Sequence, residues 1–83
     1  MRAEFLYDTI HAEPFRPFTI SLADGKTFQV THPDWIGFRQ GSRTAAIFWE
    51  TDRVTLIDVG LITSLDVEPL PKAGKIMGSD EPR

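Results

Sequence analysis

The chain has 83 residues, with 41% apolar and 25% charged side chains, enough for one small domain and no second one. Nine Lys and Arg against twelve Asp and Glu leave a formal charge of -3, so no general attraction to nucleic acid or to an anionic membrane is built in. Cysteine is absent, which excludes disulfides, thiolate metal sites and cysteine nucleophiles.

Charged or polar residues interrupt every apolar stretch before it reaches membrane-spanning length, so no membrane segment is expected. The first residues bring Glu4, Asp8 and His11 where a secretory signal needs an apolar run, and a cytoplasmic location is the expectation.

Residues 2–12 read as an amphipathic helix whose Phe5, Leu6 and Ile10 side, with Ala3 and Tyr7, packs on a sheet. Pro14 and Pro17 hold the following segment extended. The period then falls to two. Phe18, Ile20 and Leu22 alternate with Thr19 and Ser21, and Phe28 and Val30 alternate with Thr27, Gln29 and Thr31, which predicts strands over 17–23 and 26–32. A two-residue turn at Asp24-Gly25 would throw the two apolar rows onto opposite faces. A three-residue loop, Ala23-Asp24-Gly25, pairs Ile20 with Phe28 and Phe18 with Val30 and puts Gly25 in the left-handed position.

His32, Pro33 and Asp34 end this hairpin, because proline cannot donate to a ladder and Asp favours turns. Further strands are expected over 35–40, 44–50 and 53–58. A short segment, 62–67, follows a single 3₁₀ turn and is read as a possible continuation of the last strand. From residue 69 the composition shifts to Pro, Gly and mixed charge, predicting a disordered tail over 69–83. The expected architecture is mostly β: an N-terminal helix, then a five-stranded antiparallel meander curled into a small barrel.

Taken together, Pro14-Phe15-Arg16-Pro17-Phe18, Leu22-Ala23-Asp24-Gly25, His32-Pro33-Asp34, Ile57-Asp58 and Ile62-Thr63-Ser64-Leu65 form a pattern over about residues 12 to 67. It resembles a family of short bacterial proteins with a Pro-Phe-Arg-Pro-Phe start, a Leu-x-Asp-Gly hairpin and an Ile-Asp…Ile-Thr-Ser ending. The resemblance implies a common architecture and brings no activity with it. A helix followed by about five curled strands is also similar to the Sm-like small barrels, many of which form rings and bind RNA.

Few groups here carry chemistry. His32 with Asp34 has the types of a general base and its orienter, although that spacing across a proline more simply builds a turn. His11 at the helix end is accounted for by the helix dipole. Two histidines without clustered carboxylates cannot furnish an ordinary zinc site. Neither a Gly-x-Ser-x-Gly elbow nor a phosphate loop occurs. No catalytic residue, metal or cofactor is therefore expected.

Two binding readings remain. Arg39, Arg43 and Arg53 fall near turns with Trp35, Phe38 and Trp49 close in sequence, and arginines beside stacking aromatics suit single-stranded RNA. The favoured reading is non-enzymatic: the apolar segment containing Ala45, Ile47 and Trp49 needs cover on both faces, which a homo-oligomer or a protein partner provides.

Overall fold

The computed structural model describes residues 2–69, so the tail expected over 69–83 lies outside the described residues except for Pro69. Helix α1 spans Ala3–Ile10 and is shorter than 2–12: the His11 amide still bonds to the Tyr7 carbonyl, and the chain then turns toward Pro14. One turn apart, Leu6 and Ile10 are buried, whereas Phe5 lies outward under the Arg2 guanidinium. Its neighbour Leu6 points about 100° away around the helix, and a helix this short buries only one narrow stripe.

Six strands follow: β1 (Phe18–Leu22), β2 (Thr27–Val30), β3 (Ile36–Phe38), β4 (Thr44–Phe48), β5 (Val54–Asp58) and β6 (Ile62–Val67). They form two three-stranded antiparallel sheets, in the orders β2-β1-β6 and β3-β4-β5. The expected five-stranded meander curled into a small barrel is thus corrected: the described residues hold six strands in two sheets and form no closed barrel.

Two 3₁₀ turns explain the division. The first, Pro33–Trp35, takes Trp35 out of the strand expected over 35–40, breaks the ladder between β2 and β3 and starts the second sheet. The second, Val59–Leu61, redirects the chain after Asp58, so the 62–67 segment does not prolong β5 but crosses to pair with β1. Each turn is capped by the side chain before it: His32 Nδ1 accepts from the Asp34 amide at 3.2 Å, and Asp58 Oδ1 accepts from the Gly60 amide at 2.8 Å.

In the first hairpin Ile20 lies opposite Phe28 and Phe18 opposite Val30, and the Leu22 amide bonds to the Lys26 carbonyl. Gly25 has φ +91°, the left-handed region in which a side chain is strained. The core between the sheets joins Leu6 and Ile10 of α1 to Phe18, Ile20, Val30, Ala45, Ile47, Ile57 and Ile62.

Candidate interaction surface

Alternation along β4 decides which apolar groups are free. Ala45 and Ile47 point inward and are fully or nearly fully buried, so they belong to the chain's own core and offer no surface to a partner. Trp49 lies beyond the end of β4, which stops at Phe48 rather than at residue 50. Its indole Nε1 donates to Thr55 Oγ1 at 2.9 Å, and its ring stacks beneath Arg53.

The opposite face of the second sheet is the one left uncovered. Phe48 lies opposite Val54 and Ala46 opposite Leu56, with Gly37 of β3 beside Ala46. Phe48 is 40% exposed, Val54 49% and Leu56 68%, high values for neighbouring large apolar side chains on one face. A methyl group on Gly37 would come within 3.2 Å of the Phe48 ring, so the missing side chain there leaves room for the ring.

β5 is also an edge strand. The Trp49 amide bonds to the Arg53 carbonyl at 3.1 Å, and the Val59 amide to the Arg43 carbonyl at 2.8 Å. Opposed residues of an antiparallel pair alternate between bonded and unbonded pairs. These two bonds therefore assign the 53, 55, 57 and 59 backbone groups to β4 and turn those of Val54, Leu56 and Asp58 toward the open edge. Natural edges are commonly blunted by Lys, Pro or a bulge. From Val54 to Asp58 there is none of these, and the one charge, Asp58, stands at the end.

The arginines do not form one patch. Arg39 and Arg43 flank the β3–β4 turn, while Arg53 closes the β4–β5 turn at the other end of β4, about 20 Å away at the usual rise of roughly 3.3 Å per residue. Arg53 is further committed to the Trp49 face, with its guanidinium carbon 4.5 Å from the ring centroid.

His32 and Asp34 stand on the surface with 59% and 89% of their side chains exposed. His32 Nδ1 accepts from the Asp34 amide, and the Asp34 carboxylate lies 3.6 Å from the same nitrogen, so both groups are engaged in one local turn. The pair builds the 3₁₀ turn around Pro33, and Asp24 with Gly25 shapes the first hairpin, where Asp24 Oδ1 accepts from the Lys26 amide. Among the described residues no group of three or more His, Asp or Glu could hold a metal ion.

An open groove of about 600 Å³ lies between the ends of β2 and β4, walled by Phe28, Trp35 and Trp49 and edged by Thr27, Gln29 and Glu50. Its one charged lining residue is an acid, opposite in sign to what a phosphate backbone needs. No described helix is long and apolar enough to cross a membrane. Comparison with family models, with curated proteins and with solved structures returns no match.

The exposed row of Phe48, Val54 and Leu56 is not among the interface residues expected from the sequence. Their signal was the parity of the β4–β5 hairpin: once Ala45 and Ile47 face inward, Phe48 and its partner Val54 face out.

Proposed function

We propose that this protein is a non-enzymatic assembly module that joins protein chains through the outer face of its second sheet. The observation that carries the reading is the exposed row of Phe48, Val54 and Leu56 beside an unprotected strand edge. A polypeptide is the occupant such a surface suits, because it supplies both apolar side chains and the backbone groups the edge lacks. The separation of Arg39 and Arg43 from Arg53, together with the acidic groove, gives an RNA-binding reading less support.

The test is the absolute mass of the purified chain, not treated with nuclease, by size-exclusion light scattering with the 260/280 nm absorbance ratio recorded alongside. Assembly predicts a mass above that of the 9.4 kDa chain, rising with concentration, and an absorbance ratio typical of protein alone. A monomer at every concentration overturns the reading. A particle carrying nucleic acid replaces it with the RNA-binding one.

A further inference from the structure

We propose that the open groove between the ends of β2 and β4 is a binding site for a small quaternary ammonium compound. The proposal concerns the groove rather than the β5 edge, and it does not rest on the assembly reading. Four aromatic side chains from three elements converge there: Phe28 of β2, Trp35 of the first 3₁₀ turn, and Phe48 and Trp49 at the end of β4. The β3–β4 register explains part of this meeting, since Ile36 lies opposite Ile47 and so brings Trp35 level with Phe48. The Phe28 and Trp49 rings stand 6.3 Å apart at 65°, edge to face, and two rings so inclined form adjoining walls of a corner. Phe48 and Trp49 keep more than a third of their surface open to solvent, and Trp35 is half-buried.

The lining selects for positive charge. Aromatic faces carry the negative part of the ring quadrupole and attract cations. Glu50 adds a carboxylate at the rim, and among the described residues no Lys or Arg lines the groove. Trp49 already shows the attraction, because the Arg53 guanidinium lies over its ring. Arg53 is not one of the groove walls, so that cation leaves the groove itself open.

Hydrogen bonding then separates one kind of cation from another. The Trp49 indole N–H is spent on Thr55, and Glu50 is the one carboxylate within the lining. A primary ammonium brings three donors that lose water on entry and would find too few acceptors. A quaternary ammonium brings none, and its methyl groups spread the charge over an apolar surface that packs against the rings. A volume of about 600 Å³ suits a small molecule, and the Thr27 and Gln29 side chains along the edge can bond to a hydroxyl or carboxylate elsewhere on it.

Trp35 and Trp49 are the two tryptophans of the chain, so the full-length protein reports on the groove without a label. Choline, titrated at constant ionic strength against sodium chloride, should change the tryptophan emission saturably and move both indole N–H resonances in heteronuclear NMR spectra. Its neutral carbon analogue, with a tert-butyl group in place of the trimethylammonium, should bind at least about tenfold more weakly. Glu50→Gln changes an exposed side chain and should keep the far-UV dichroism of the unmodified protein, weaken choline severalfold and leave the neutral analogue unaffected. No saturable response, equal binding of choline and its analogue, or undiminished choline binding in Glu50→Gln overturns the site. Phosphatidylcholine vesicles present the same cation on a membrane, and a response to them at a lower concentration of choline groups than to free choline overturns the assignment to a free solute.

Discussion

The guanidinium of Arg53 lies over the Trp49 ring, its central carbon 4.5 Å from the ring centroid, and this pair closes the β4–β5 hairpin at the end where the Trp49 amide bonds to the Arg53 carbonyl. An exposed cation–π contact contributes roughly 0.5–1 kcal/mol. Arg53→Ala should therefore lower stability by about that amount in chemical denaturation and alter the near-ultraviolet dichroism of the tryptophans. Arg53→Lys should retain part of the effect, and a loss several times larger in Arg53→Ala would mean that the arginine holds something more than the ring.

Gly25 carries φ +91° with no atom within 4 Å of where a Cβ would stand, so any penalty for a side chain comes from the backbone and not from a clash. Gly25→Ala should cost about 1 kcal/mol, seen as a lower melting temperature with an unchanged spectrum. Gly25→Asn, whose side chain tolerates the left-handed region better, should cost less.

Ile20 is fully buried in the middle of β1, between Phe28 on one side and Leu65 on the other. Ile20→Asp buries a carboxylate with no partner and should unfold the domain, as far-UV dichroism would show. Gln29→Asp, on the exposed row of the same hairpin, should stay folded. A soluble, folded Ile20→Asp protein would refute the facing of the first sheet.

Asp58 holds the 3₁₀ turn that separates the two sheets through its bond to the Gly60 amide. Removing that acceptor in Asp58→Ala should cost about 1 kcal/mol, in the range of other capping side chains, while Asp58→Asn keeps an oxygen in place and should cost a fraction of it. Urea unfolding of the two variants side by side makes the comparison.

The parts of the fold readable in the sequence were those where one row of residues is apolar and the next polar. Phe18, Ile20, Phe28 and Val30 leave one sensible register, and the Gly25 loop follows from it. The β4–β5 region was not readable in this way. Ala45 to Trp49 is apolar throughout, and Leu56 and Ile57 are adjacent in β5, so alternation alone does not say which is inside; Ile57 is buried and Leu56 is 68% exposed. Through the same ambiguity the expectation fell on Ala45 and Ile47, which are buried, while their neighbours carry the exposed apolar row. Sheet membership was hidden for another reason. Whether 62–67 follows β5 or leaves it depends on a bond between Asp58 and Gly60 and on pairing with β1, which is a long-range choice.

That long-range pairing also bears on how the chain reaches its fold. The second sheet is made of hairpins between neighbours in sequence, whereas β6 must return to β1 across the whole intervening chain, setting Val67 opposite Phe18. Closing so large a loop costs entropy before any contact between the two ends repays it, and distant pairings of this kind slow folding. The β3–β4–β5 hairpins can therefore form early and present the Val54–Leu56 edge while β6 is still unpaired, so that apolar edge is complete before the first sheet has closed.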